Sequence, residues 1–391
     1  MTIHPRFAIL TALMTLAPTL TVHAAGSVQR PSIIVSPFLY TYSGNYWENW
    51  GLQGIKGTQQ AGIFVITGTS HVNGVVYKGP VNNGFNSSGS GKGGQWWAMN
   101  VPGASSTSIY GPEDLGNGNY NLVGTYKLPN ASPTYSFIYQ GPLTTTPSAS
   151  AFQTVQAKYP NGQTAEYTIL HSVSGGLAAG NYGSPNTDLG HAFIYDPQNP
   201  VRPQTDLVFP DADKTHSVYG IWHNGGTRYT VAGGVGGNIG RNIIEGPIAF
   251  GYLMDYDRVT GLSSNYQLFS YSITGKTRPY FKNNTVITHF EGIWSDDQGL
   301  YRLPASVTSL SGGLSLGMVV DVKRKPNGEF GPRAVWKVID LPGSSFSTND
   351  SIFGETSIGV VQYQETQPGT GQTQTVSSNY ATTPAQPSPP Q

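Results

Sequence analysis

Ser217-Val218-Tyr219-Gly220-Ile221-Trp222, followed after a short polar turn by Arg228-Tyr229-Thr230-Val231-Ala232-Gly233, is the stretch that decides the fold. Both runs alternate β-branched or aromatic residues with small or polar ones, the period-2 pattern of half-buried strands, and glycine punctuates them. The same design recurs in Gly51-Leu-Gln-Gly54-Ile55, Thr107-Ser-Ile-Tyr-Gly111, Tyr167-Thr-Ile-Leu-His-Ser172, Thr288-His-Phe-Glu-Gly292-Ile-Trp294 and Asp350-Ser-Ile-Phe-Gly354.

With Gly54, Gly111, Ser172, Gly220, Gly292 and Gly354 as equivalent anchors, the spacings are 57, 61, 48, 72 and 62 residues. Each interval holds about four short alternating runs, such as Ile63–Ile66, Val72–Tyr77 and Gln95–Val101 behind the first anchor. Four strands per repeat at this period predict an all-β propeller of four-stranded blades around a central channel. Six blades is the first expectation, and five with extra terminal strands the alternative. The sixth unit is short, with only Ile358–Tyr363 behind its anchor, so closure requires an N-terminal run, Ser32 to Tyr40.

Arg6, an apolar stretch from Phe7 to Val22 and Val22-His23-Ala24 read as a secretory signal with cleavage after Ala24. The expected divisions are a signal peptide over 1–24, one propeller domain over 25–364 and a disordered Pro/Gln/Thr/Ser-rich tail over 365–391. No later run is apolar enough to span a bilayer as a helix. The absence of cysteine excludes disulfides, zinc–thiolate sites and cysteine nucleophiles, and suits a bacterial protein exported to the periplasm or the exterior. Lysine plus arginine equals aspartate plus glutamate at 21 each, so charge points to no nucleic acid. A monomer is expected.

His191-Ala192-Phe193-Ile194-Tyr195, preceded by Gly175-Gly-Leu-Ala-Ala-Gly180-Asn-Tyr182, resembles the bacterial extracellular repeats named for their His-Ala-Phe tripeptide. Ser136-Phe-Ile-Tyr-Gln-Gly141 and Ile248-Ala-Phe-Gly-Tyr252 are weaker echoes. The resemblance implies exported β-rich repeats and no particular chemistry.

Gly313-Leu-Ser315-Leu-Gly317 matches a nucleophile-elbow pattern, but a strand follows Ser315 where that motif needs a helix. Gly84–Gly94 resembles a phosphate loop without its Ser/Thr or helix. No cofactor or metal set is expected beyond weak cation turns at Asp211–Asp213 and Asp296–Gly299. More informative is the residue before each anchor: Gln53, Tyr110, His171, Tyr219, Glu291 and Phe353. On innermost strands these form a ring around the channel, with Glu113, His223 and Glu355 near the strand ends.

Catalytic candidates are therefore Glu113, His171, Glu291 and Glu355, with Glu245 a further acid for a glycosidase pair. Binding candidates are Tyr46, Trp47, Trp50, Tyr110, Tyr219 and His223, since aromatic faces stack on sugar rings. Trp222 and Trp294, at matching positions, read as packing between blades. The expectation is an exported, non-catalytic propeller that binds a glycan or another extracellular component. The alternative is a polysaccharide hydrolase or lyase using acids at the channel mouth.

Overall fold

The computed structural model describes residues 38–40, 50–81, 94–131, 133–184, 190–210, 215–236, 249–271, 286–309, 315–339, 344–366 and 373–382. The signal sequence, Tyr46, Trp47, Glu245, the phosphate-loop look-alike over 84–93 and Asp211–Asp213 lie outside the described residues.

Described regular structure is almost wholly strand. β1 (Phe38–Tyr40) stands apart from its sequence neighbours. The first sheet runs in chain order through β2 (Trp50–Gly57), β3 (Phe64–Ser70), β4 (Asn73–Gly79) and β5 (Gln95–Ala98). The second holds β6 (Ser106–Asp114), β7 (Tyr120–Lys127), β8 (Tyr135–Gly141) and β9 (Phe152–Val155). The third holds β10 (Tyr167–Ser174), β11 (Leu177–Gly183), β12 (His191–Tyr195) and β13 (Gln204–Asp206). A nine-stranded sheet follows. Its first half is β14 (Thr215–His223), β15 (Arg228–Gly236), β16 (Ala249–Asp257) and β17 (Ser263–Phe269). Its second is β18 (Val286–Phe290), β19 (Trp294–Ser295), β20 (Leu300–Ser309), β21 (Ser315–Arg324) and β22 (Phe330–Val338). One parallel bridge, Ala249 to Ile287, joins these two antiparallel meanders.

The last sheet is built from β23 (Ser344–Ser347), β24 (Ser351–Phe353), β25 (Thr356–Thr366), β26 (Thr373–Thr382) and, at its edge, β1. The N-terminal run thus closes the sheet formed by the C-terminal strands, as the short sixth unit requires. The tail departs from expectation: β25 continues to Thr366, and β26 lies within the stretch expected to be disordered. Its composition is polar, but both of its faces are covered: Tyr380 is buried in one cluster and Ala381 in another, while Asn379 Oδ1 accepts from Leu52 N at 3.0 Å. Hydrogen bonding to β1 and β25 on its two sides supplies what composition does not.

The first strands of the meanders face one central cavity. Residues of β2, β6, β10, β14, the segment 291–293 and β24 line it together, which makes the architecture a β-propeller. The recurring anchors are β-bulges. Gln53, Tyr110, His171 and Tyr219 are each skipped in the pairing of the first strand with the second. A bulged residue leaves the ladder and bends the strand, which re-aims its side chain. Opposite each bulge sits a glycine, Gly68, Gly124, Gly180 or Gly233, at which a Cβ would overlap a carbonyl oxygen two residues before the bulge. The same overlap relates Gly359 to the Thr348 carbonyl. The sixth bulge position is therefore Asp350 and its anchor Ser351, which corrects the expected Phe353 and Gly354. Phe353 instead falls in line with Trp222 and Trp294, two residues beyond their anchors.

Neighbouring sheets brace one another at these bulges. The backbone N–H before the bulged residue donates to a side chain of the preceding sheet: Leu170 to Ser136 Oγ at 2.8 Å, Val218 to Asn181 Oδ1 at 2.8 Å, Leu52 to Asn379. Each satisfies a backbone donor that the ladder leaves over. Between sheets, the outward faces bury continuous clusters such as Tyr120, Leu122, Phe137 and Tyr139 against Val65 and Val76. His191 of the His-Ala-Phe run stacks on Tyr182 of β11 at 4.9 Å, with Ala192 and Phe193 buried behind it.

Candidate ligand site at the channel mouth

The structure brings the ring residues Gln53, Tyr110, His171, Tyr219 and Glu291 together around the central cavity, and Phe353 lines it one level away. The cavity is about 30 Å³, room for a water or two and far below the roughly 300 Å³ of a small-molecule pocket. The ring is filled by its own side chains. His171 lies between Tyr110, 5.3 Å centroid to centroid, and Tyr219, 4.5 Å and edge-on. Tyr219 in turn meets His289 edge-on at 4.5 Å. Tyr110 is 1% exposed and His171 7%, so neither presents a face to a ligand.

Each acidic candidate is held by partners of its own. Glu113 Oε1 accepts from Gly175 N of the β10–β11 turn at 2.6 Å and its Oε2 from Asn121 Nδ2 of β7 at 2.9 Å, so its two oxygens tie that turn to the second sheet. Glu291 Oε1 lies 3.3 Å from His289 Nδ1. Glu355, 64% exposed, pairs with Arg302, which also binds Asp321 at 2.8 Å and the Gly354 carbonyl at 2.9 Å. Burial works against the Arg302 guanidinium, yet these carboxylates hold its pKa above the usual value. His223 is a brace as well: its ring stacks on Tyr229 at 4.7 Å, its Nε2 reaches the Gly226 carbonyl at 3.0 Å, and Tyr229 Oη donates to the Gly175 carbonyl at 2.7 Å. Of Trp50 only the backbone, at the start of β2, is described. Ser315 is buried in β21 and accepts from Thr308 Oγ1 at 3.1 Å, with no helix after it. Among the described residues no cluster of three or more potential metal ligands occurs.

Two groups escaped the sequence reading. His289 connects Ser217 Oγ, 3.3 Å from its Nε2, to Glu291. The repeat places His289 two residues before the ring position held by Glu291, equivalent to Ser217 in the fourth unit. The second is Lys56, two residues after the first anchor and equivalent to Glu113, Ser174, Trp222, Trp294 and Phe353. Its Nζ reaches across to the Trp222 ring, 4.2 Å from the centroid, and stands 6.0 Å from that of Phe353. Burial pushes the ammonium down to about 8 against the pull of Glu113 and Asp297. Aligning the anchors and reading two places on would have found it as the one cation in that layer.

This layer forms the mouth at which the first strands end. Trp222 and Trp294 rings meet at 6.4 Å, Trp294 and Phe353 at 6.3 Å, and Trp222 Nε1 donates to Asp297 Oδ1 at 3.0 Å. Trp294 and Phe353 are half-buried, with Lys56, Arg302 and Glu355 beside them. An aromatic set edged by charged and hydrogen-bonding groups can stack a flat polar ring and fix its orientation.

No family model and no curated protein sequence matches the chain. Solved structures do. A GH43 endo-arabinanase from Bacillus licheniformis matches at 12% identity over 74% of this chain and 99% of that one, TM-score 0.34. The parainfluenza virus 5 hemagglutinin-neuraminidase ectodomain matches at 10% identity over 89% and 85%, TM-score 0.41. Drosophila Semaphorin 2a matches at 10% identity over 88% and 69%, TM-score 0.39. At these identities and scores the activities of those proteins carry no weight for this chain; its chemistry is read from its own residues.

Proposed function

We propose that the protein is a non-catalytic, exported β-propeller that binds a glycan at the aromatic mouth formed by Trp222, Trp294 and Phe353. The observation that carries this reading is the closed channel: ring residues fill it to about 30 Å³, and Glu113, Glu291 and Glu355 are each engaged by a separate internal partner. A glycosidase needs two carboxyls about 5–10 Å apart with a sugar between them, and the channel has no space for one. The mouth offers what a binding site needs: the half-buried faces of Trp294 and Phe353, backed by the buried Trp222, with charged groups at their edge. The test is a glycan array with product analysis on the same samples. Saturable binding with unchanged glycans supports the reading; release of shortened or unsaturated products overturns it.

A second reading, hydrolysis, is favoured by one observation. Ser217 Oγ, His289 and Glu291 stand in the order hydroxyl, imidazole, carboxylate, the arrangement that activates a nucleophile. Ser217 Oγ also donates to the Gly234 carbonyl at 3.2 Å, and the imidazole lies against Gly234 so closely that a Cβ there would overlap it. These contacts make the trio a strut between β14–β15 and β18. Labelling of Ser217 by a fluorophosphonate, lost in His289→Gln, would favour hydrolysis.

A further inference from the structure

The mouth is charged as well as aromatic, and its charges are sorted by direction. The two cations that touch its rings are turned onto them: Lys56 Nζ lies 4.2 Å from the Trp222 centroid, and Arg302, with 8% of its side chain exposed, sits over Trp294 at 5.6 Å. The carboxylates face outward. Asp297 in the β19–β20 turn is exposed, and Glu355 just after β24 is 64% exposed. Each has one oxygen committed to the mouth itself: Asp297 Oδ1 accepts from Trp222 Nε1 at 3.0 Å, and Glu355 Oε1 accepts from Arg302 Nη1. Arg302 is held in turn by Asp321 and the Gly354 carbonyl, which fixes Glu355 beside the Trp294 and Phe353 faces. The second oxygens, Asp297 Oδ2 and Glu355 Oε2, have no hydrogen-bond partner among the described residues.

We propose that Glu355, seconded by Asp297, makes the mouth selective for uncharged glycans and turns away chains that carry uronate, sulfate or phosphate groups. This rests on the glycan reading of the mouth and adds the class of sugar. A neutral sugar stacked on Trp294 and Phe353 offers hydroxyl donors. A carboxylate oxygen already oriented by its arginine accepts from them with little further ordering. An acidic sugar in the same place brings another anion against Glu355 and Asp297. The cations that could offset this repulsion are engaged: Arg302 by Asp321 and Glu355, Lys56 by the Trp222 face with Glu113 and Asp297 acting on it. Selectivity of this kind comes from the repulsive contact as much as from the attractive one.

The experiment measures binding of the full chain to an array that pairs neutral oligosaccharides with their C6-carboxylate forms, at low and at physiological salt, for the native protein and for Glu355→Gln. The native protein should bind each neutral member at least about tenfold more tightly than its acidic counterpart, a gap that widens at low salt. Glu355→Gln keeps an acceptor for Arg302 and removes the charge. It should close the gap to about threefold or less by gaining affinity for the acidic members, while neutral binding falls only about two- to fivefold. A purely structural role for Glu355 would weaken both members alike. That result, or native binding of acidic members as tight as that of neutral ones, overturns the selectivity and leaves glycan binding standing. Absence of binding to every member overturns both.

Discussion

Replacing Lys56 with methionine should stabilise the protein at neutral pH, an unusual outcome for deleting a charge. The change keeps the length of the side chain and its contact with Trp222 while removing the ammonium. In the unfolded chain the lysine has its ordinary pKa of 10.5; burial lowers it to about 8 in the fold. A depressed lysine pKa means that the unfolded state binds more protons between these values, so stability rises with pH through that window and the cost is fully present below about pH 8. The difference of 2.5 units corresponds to about 3.4 kcal/mol at 1.36 kcal/mol per unit. Attraction to the Trp222 face at 4.2 Å returns about 1–2 kcal/mol. The net expectation is that Lys56→Met gains about 2 kcal/mol at pH 7. Urea unfolding at pH 7 and 9.5 reads both halves of the argument. Relative to the variant, the native protein should gain about 1–2 kcal/mol over that interval; ionisation of the unfolded chain's tyrosines, which destabilises both proteins alike as pH approaches 10, cancels in that difference. A Lys56→Met protein less stable than the native one at pH 7, with the same pH slope, would refute the reasoning.

Other consequences follow from the bulges and the closure. Gly180→Ala should cost about 2–3 kcal/mol or abolish folding, because its Cβ would strike the Ile169 carbonyl, whereas Gly118→Ala, in a turn with open space, should cost less despite its positive φ; thermal melts compare them. Asn379→Ala should cost about 1–3 kcal/mol by leaving the buried Leu52 N–H without its acceptor, a loss visible in urea unfolding. Truncation after Thr366 removes β26 and leaves β1 without a partner, so far-UV circular dichroism should show loss of cooperative unfolding. Glu113→Gln should preserve folding and cost about 1–2 kcal/mol, since it weakens a charge-assisted bond to Gly175 N.

The repeat was legible because its physics is local and periodic. Alternation exposes strands, and Gly54, Gly111 and Gly220 mark where the chain approaches a neighbour too closely for a Cβ. The ring was legible for the same reason, since Gln53, Tyr110, His171, Tyr219 and Glu291 hold one register position and meet at one cavity. The sixth position was misplaced because Phe353-Gly354 imitates the pattern; only the pairing of β23 and β24 with β25 shows that the extra residue falls in the segment 348–350. β26 was missed because its burial comes from tertiary closure and its composition is polar. Lys56 and His289 were overlooked for a related reason. Their distinction lies in what meets them from another meander, Trp222 and Tyr219, and no sequence window contains both partners.

The proposed function has a glycan bound at the aromatic mouth and left uncleaved. Titration calorimetry with the glycan that gives the strongest array signal, on native protein and on Trp294→Ala and Glu291→Gln variants, tests it directly. The account predicts that Trp294→Ala weakens binding about tenfold or more, corresponding to about 1–3 kcal/mol for a lost stacking face. Glu291→Gln should bind like the native protein, with no slow heat of turnover in any trace. Sustained reaction heat in the native protein that disappears in Glu291→Gln, with Trp294→Ala unaffected, would contradict it.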